Sequence, residues 1–280
     1  MDDAASASRE LAEFAFRYPR LLVLTGAGCS SASGIPAYRD EQGAWRTRAP
    51  VPFAQFATSD GVRRRYWARS MVGWTRVRDA RPNLAHQALA RLERLGRVSC
   101  LVTQNVDGLH QRAGSREVVD LHGRLDRVRC IDCGDALLRS DMQALLDAWN
   151  PGHEALAAET APDGDAFVEH AFEGFRVPDC PGCGGRLKPD VVMFGENVPP
   201  PRVAAALLAL ERADALLCVG SSLMVYSGFR FCLAARALGK PVAAVNLGRT
   251  RADALLLLKV EDDCGRALHA LADAAQPAVT

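Results

Sequence analysis

Four short apolar runs constrain this chain more than anything else in it. Leu21–Thr25, Val98–Thr103, Ala215–Val219 and Val242–Val245 are continuous in their hydrophobicity rather than alternating. A strand with water on one face alternates; a strand covered on both faces does not, which points to a parallel sheet with helices on either side. Helical patterns stand beside the runs. Leu84–Leu95 sets Leu84, Ala88, Leu92 and Leu95 on one face, and Arg202–Ala213 and Gly228–Leu238 are rich in Ala and Leu, the second stopped by Gly239-Lys240-Pro241. The expectation is a Rossmann-like, doubly wound α/β fold.

The residues just past each strand bear on function. After the runs come Gly26-Ala27-Gly28, then Gln104-Asn105-Val106-Asp107, then Gly220-Ser221-Ser222, and finally Asn246. In open α/β sheets the ligand crevice lies beyond the carboxyl ends of the strands, so all four polar clusters converge on one site. Glycines let backbone N–H groups approach a pyrophosphate at a helix start. The turn departs from G-x-G-x-x-G at Ser31, and no acidic residue ends a second strand where an adenosine ribose would be held. Alone, it is equally a structural turn.

Residues 126–187 break the strand–helix rhythm. They carry Cys130-x-x-Cys133 and Cys180-x-x-Cys183, an acidic stretch Ala158–Gly164 and little strand periodicity. Four thiolates so spaced are a ligand set for tetrahedral zinc with no position left open for chemistry, although the 46 residues 134–179 exceed the span of a compact zinc ribbon. The expected organisation is a discontinuous nucleotide-binding domain, 1–125 and 188–280, with a structural zinc module at 126–187. Within the former, 40–81 reads as a loop and short helices beside the ligand; it holds three of the four tryptophans.

Composition excludes several classes. The 280 residues carry a formal net charge of +1, which argues against a nucleic-acid partner, and Arg63-Arg64-Arg65 reads as a solvated helix face. No apolar run approaches the roughly 20 residues of a membrane span. Met1-Asp2-Asp3 is acidic where a secretory or mitochondrial leader would be basic. Of the nine cysteines, Cys100 and Cys218 sit in apolar runs as small hydrophobes. A reduced, cytoplasmic, monomeric protein is expected.

The longer segments carry a resemblance. Gly26–Arg39 (GAGCSSASGIPAYR), Thr103–His110 (TQNVDGLH), Leu121-His122-Gly123, Lys188–Glu196 (KPDVVMFGE), Gly220–Leu223 and Asn246 resemble, in order and over about residues 11–270, a bacterial member of the sirtuin family. Tyr66–Arg69, Val72–Trp74 and Ala161–Asp165 are most similar to class II sirtuins, the branch with the mitochondrial lipoamidase and ADP-ribosyltransferase type. The resemblance implies NAD as co-substrate, one structural zinc, and removal of acyl groups from lysine of protein or peptide substrates, giving nicotinamide and O-acyl-ADP-ribose. It implies His122 as general base, with Asn105 and Asp107 completing the catalytic pocket. It implies cofactor contacts from Gly26, Ala27, Gly28, Ser30, Ile35, Pro36, Tyr38, Arg39, Gln104, Gly220, Ser221 and Ser222, with Asn246 and Cys264 at the adenine end. Val191, Val192, Phe194 and Gly195 would pair with the substrate backbone.

The residue types suit these roles. A histidine titrates near neutral pH and can take a hydroxyl proton. A carboxylate accepts from a carboxamide, and a guanidinium binds phosphate. Outside that context a lone histidine is more often a cap or core residue, and His86, His110, His153, His170 and His269 are read so. Tyr66 and Arg69, three apart on a predicted helix, would form a clamp for an acidic acyl group; the competing reading places Arg69 in the basic surface run. Two further functions stay open: a mono-ADP-ribosyltransferase using the same cofactor site, and a Rossmann dehydrogenase with structural zinc.

Overall fold

The computed structural model describes residues 2–40, 42, 44, 50–153, 172 and 174–276, with side chains from residue 6 onward. The stretches Ala158–Gly164 and Ala161–Asp165, together with His170 and Trp45, lie outside the described residues.

The four apolar runs are strands with the expected bounds: β1 (Leu21–Thr25), β2 (Val98–Thr103), β7 (Ala215–Val219) and β8 (Val242–Val245). Two three-residue strands, β3 (Val118–Asp120) and β9 (Leu258–Val260), close the edges. The order is β3-β2-β1-β7-β8-β9 and every neighbouring pair is parallel. Chain order therefore runs outward from β1 on one side and outward from β7 on the other. The switch point, where a crevice must open, lies between β1 and β7.

The central strands feed two cores. Leu21 and Val23 of β1 join α1 (Asp2–Arg17), α4 (Leu84–Arg94) and α9 (Cys264–Ala274) on one face. Leu22 and Leu24 join α7 (Pro200–Arg212) and α8 (Tyr226–Ala237) on the other. With both faces dry, continuous apolar strands are what the architecture demands.

A third core lies beside the sheet. β4 (Gly123–Cys130), β5 (Ala136–Leu138) and β6 (Leu187–Val191) form an antiparallel sheet in the order β5-β4-β6. It packs with α6 (Arg139–Trp149) and with α3 (Asp60–Asp79). The short helices expected within 40–81 are corrected here: after α2 (Phe53–Thr58), α3 is one helix of 20 residues. It buries Tyr66, Trp67, Ala68, Ser70, Met71, Gly73, Trp74 and Val77, residues spread over more than half its circumference and including Ser and Gly, so the sequence shows no narrow apolar stripe. Arg63 caps the end of α2, its Nη1 donating to the carbonyls of Phe56 and Ala57 at 2.9 and 3.0 Å. Buried Arg139 bolts α6 to α3: it donates to Ser70 O at 3.1 Å and to Gln143 Oε1 at 2.8 Å, and lies over the rings of Trp67 and Trp74. Burial pulls its pKa down to about 10.

The chain passes from the parallel sheet to the antiparallel one at Gly123, the first residue of β4. Its φ of 83° lies in the left-handed region, and a Cβ there would collide with the carbonyl oxygen of Asp190 on β6. Gly123→Ala therefore carries both a conformational and a steric penalty, and we expect it to lower unfolding free energy by about 2 kcal/mol or more in urea titrations. Stability within about 0.5 kcal/mol of wild type would show that this junction is looser than described.

Candidate active site

The glycine turn and the loop after β7 cross backbone to backbone at the switch point. Gly26 N–H donates to Val219 O at 3.0 Å and Gly28 N–H to Gly220 O at 2.9 Å. A Cβ at Gly26 would stand 2.7 Å from Ser221 Cβ, and one at Gly28 2.9 Å from the Gly220 carbonyl. Side chains are excluded because the space is already filled by main chain, which leaves bare backbone at the cleft mouth.

Above this crossing lies a cavity of about 490 Å³. It takes in all four polar clusters, the turn 191–196 and the first turn of α8. Within it, Ser30 Oγ donates to Asp107 Oδ2 at 2.7 Å and accepts from Asn105 Nδ2 at 2.9 Å; Asn105 Nδ2 also donates to Gly26 O at 3.0 Å. Asp107 Oδ1 accepts Leu109 N–H at 2.9 Å. Gln104 Nε2 donates to Ser221 Oγ at 2.9 Å and to Thr25 O at 3.2 Å, tying the loops after β1, β2 and β7 together.

His122 is fixed on both ring nitrogens. Nδ1 lies 3.0 Å from the backbone oxygen of Gln104, and a carbonyl can only accept, so Nδ1 carries the proton. Nε2 is then the basic nitrogen, and the Ser227 hydroxyl donates to it at 2.8 Å. Burial pushes the imidazole pKa down to about 4, Arg202 and Arg230 push the same way, and the Gln104 hydrogen bond opposes them. A depressed histidine pKa means the neutral ring persists as pH falls, until it approaches that value.

The four cysteines come together at the far end of the antiparallel sheet. Cys130 and Cys183 Sγ are 3.6 Å apart, Cys133 and Cys180 Sγ 3.8 Å. Thiolates 2.3 Å from a tetrahedral centre stand about 3.8 Å apart. Backbone N–H groups of Asp132 and Cys133 face Cys130 Sγ, and that of Gly185 faces Cys183 Sγ. The donor set fits zinc as a closed structural site.

Of the expected cofactor residues, all line the cavity except Pro36, which is exposed between Ile35 and Ala37. Of the expected acyl clamp, Tyr66 lines it and Arg69 does not. Three residues advance about 4.5 Å along a helix, which carries Arg69 past the wall. Val191, Val192, Phe194 and Gly195 all line it, but only Val191 is strand. The chain then turns, with Glu196 N–H donating to Met193 O at 3.0 Å and Phe53 N–H to Phe194 O at 2.9 Å. Lys188 Nζ holds this turn by donating to Glu196 Oε2 at 2.7 Å and Val191 O at 2.8 Å. His86 caps α4 with Asn83, and His110 bonds Thr25 Oγ1 at 3.0 Å. Both lie with Cys29 in a buried group, where desolvation keeps the rings neutral and pushes the thiol up. Sequence reading missed Ser227 and Arg230, both on the cavity wall. Their one signal was proximity in the chain to Gly220–Leu223.

A parallel sheet of this order, with a glycine turn at its switch point and a four-cysteine cradle alongside, defines a Rossmann-type dinucleotide-binding protein. The chain belongs to the Sir2 family, whose model matches residues 26–227. It is 60% identical over 269 residues to an NAD-dependent protein deacetylase 2 of Bradyrhizobium diazoefficiens, covering 96% of this chain and 98% of that one. It is 58% identical to an NAD-dependent protein deacetylase of Xanthomonas campestris pv. campestris, covering 95% and 92%. Among solved structures, a Sir2 enzyme described under "Structural Basis for the Mechanism and Regulation of Sir2 Enzymes" superposes with a TM-score of 0.76 at 32% identity, covering 98% of both chains. A Sir2 protein with a p53 peptide and NAD+ gives 0.75 at 28% identity, covering 95% and 97%. Among the described residues no helix is long and apolar enough to cross a membrane.

This geometry makes two outcomes measurable. Cys133→Ser should reduce bound zinc from one per chain to near zero and lower the melting temperature, because structural zinc affinity is folding free energy; unchanged melting after metal loss would contradict a structural role. Nitrogen NMR at pH 6 should show His122 as the neutral Nδ1–H tautomer, with imidazolium growing in only toward pH 4. A ring half-protonated near pH 6.5 would contradict the burial described here.

Proposed function

We propose that this chain removes acyl groups from lysine side chains of proteins or peptides and consumes NAD in doing so. One observation carries the reading: the unprotonated Nε2 of His122 faces the same cavity as the glycine crossing and the Ser30–Asp107–Asn105 network. A base, an anion cradle and an amide-binding pocket in one cleft are what the reaction needs.

NAD bound there would supply a ribose carbon to the acyl oxygen as nicotinamide leaves, so the acyl group ends on ADP-ribose and lysine is freed. The residues have separable tasks. The side-chain-free turn at Gly26–Gly28 would let the phosphates approach main chain, with Arg39 supplying charge, and Gly220, Ser221 and Ser222 would face the adenosine side. Asp107, oriented by Ser30 and Leu109 N–H, accepts from the carboxamide, while Asn105 and Gln104 position the ribose. His122 takes a hydroxyl proton, its tautomer set by the Gln104 carbonyl. Val192 and Phe194 present backbone to the substrate chain. Zinc at the four cysteines holds the small sheet and takes no part in the reaction.

The acyl group is read as neutral. Tyr66 shares one apolar cluster with Ile35, Val51 and Met193, all on the cavity wall, and Arg69 is off that wall. The class II assignment rests on sequence segments alone. We further take the enzyme to act as a cytoplasmic monomer without nucleic-acid or membrane partners, organised as the 1–125 plus 188–280 domain and the 126–187 zinc module.

The test is nicotinamide release across a panel of acyl-lysine peptides. Acetyl or longer aliphatic peptides should turn over faster than succinyl peptide, with no reduced cofactor formed. His122→Ala should keep zinc and NAD binding while losing about 10²–10⁴ in deacylation rate. Peptide-independent nicotinamide release with ADP-ribose left on protein would instead support a mono-ADP-ribosyltransferase.

A further inference from the structure

His122 has no vacant lone pair for an incoming hydroxyl. Nδ1–H is spent on the Gln104 carbonyl and Nε2 is filled by the Ser227 hydroxyl, 2.8 Å away. Ser227 lies in the first turn of α8 and lines the cavity, as do Tyr226 before it and Arg230 one turn on. The arrangement is held from both sides. Val192 N–H donates to His122 O at 2.8 Å, which ties the residue to the chain beyond β6. Gln104, which holds Nδ1, is itself bonded to Ser221 and Thr25. His122 lines the cavity, but the lone pair of its Nε2 is held by Ser227.

A serine hydroxyl has one proton and two lone pairs. While it donates to Nε2 it can accept from a second hydroxyl on its cavity side. We propose that Ser227 is a proton relay between the substrate ribose hydroxyl and His122. In the relay step the ribose O–H bond breaks and its proton bonds to Ser227 Oγ. The original Ser227 O–H bond breaks and that proton bonds to His122 Nε2. The ribose oxygen takes the electron pair into its new bond to the acyl carbon; the π bond from that carbon to the lysine nitrogen opens onto nitrogen, which becomes neutral, and the imidazole gains the single positive charge. Ser227 ends the step as it began, a neutral hydroxyl.

This deepens the deacylase reading and rests on it. The alternative is that Ser227 merely occupies Nε2 and swings aside when substrate arrives; its removal would then leave the rate unchanged or raise it. The experiment compares wild type, Ser227→Ala and Ser227→Thr, each zinc-loaded, in two assays. Exchange of labelled nicotinamide into NAD in the presence of acetyl-lysine peptide precedes the base-requiring step. Single-turnover acyl transfer includes it. The relay predicts exchange within about twofold of wild type for Ser227→Ala, acyl transfer slowed about tenfold or more, and recovery in Ser227→Thr, which restores the hydroxyl. It also predicts a curved dependence of the wild-type acyl-transfer rate on deuterium fraction, because two protons move, and a dependence nearer to linear in Ser227→Ala. Wild-type acyl transfer by Ser227→Ala, equal loss in both assays, or a linear wild-type dependence would each overturn the relay while leaving the deacylase reading intact. Absence of both exchange and acyl transfer in wild type would remove the deacylase reading, and the relay with it.

Discussion

The crossing of two loops at the switch point is the constraint on which the rest depends. β1 and β7 are adjacent and parallel, so their carboxyl ends emerge side by side. The main chains after them touch through Gly26, Gly28 and Gly220, where side chains would collide. That contact leaves a cleft floored by main chain, and Gln104 reaches from the end of β2 to bind both loops. The same residue's carbonyl then sets the tautomer of His122. Cofactor cradle and base are thus linked through one glutamine, with no flexible segment between them.

The second sheet completes the site from outside. β4 begins one residue after His122, and β6 pairs with it and runs into the turn lining the cavity wall. Buried Lys188 and part-buried Glu196, with the Val191 carbonyl, fix that turn. The cysteine cradle lies at the other end of β4 from the histidine. Metal loss should therefore reach the active site only through the strand, as a loss of order rather than of chemistry.

The legible and illegible parts of the sequence divide on physical lines. Strands β1, β2, β7 and β8 were readable to the residue because burial, interrupted only at Ser99 of β2, leaves a nearly continuous apolar run. The cofactor turn was readable because glycine is forced where two backbones meet. α3 was not, because a helix buried over more than half its circumference and bearing Arg63–Arg65 shows no narrow stripe. β5 and the edge strands are three residues long, too short to show a period. Of the residues expected to pair with the substrate backbone, Val192, Phe194 and Gly195 lie beyond the strand, because Lys188 and Glu196 close a turn after Val191. Ser227 was invisible for another reason: its partner is 105 residues away, and only the fold brings the hydroxyl to the imidazole.

The central claim is that the base in this cleft serves transfer of an acyl group from lysine to a ribose, rather than hydride transfer or protein modification. Mass spectrometry of one turnover, with an acetyl-lysine peptide whose acyl carbons are isotopically labelled, tests it directly. The account predicts one labelled O-acetyl-ADP-ribose for each nicotinamide released and each free lysine formed. Labelled free acetate from the outset, peptide carrying ADP-ribose, or reduced cofactor as the product would contradict it.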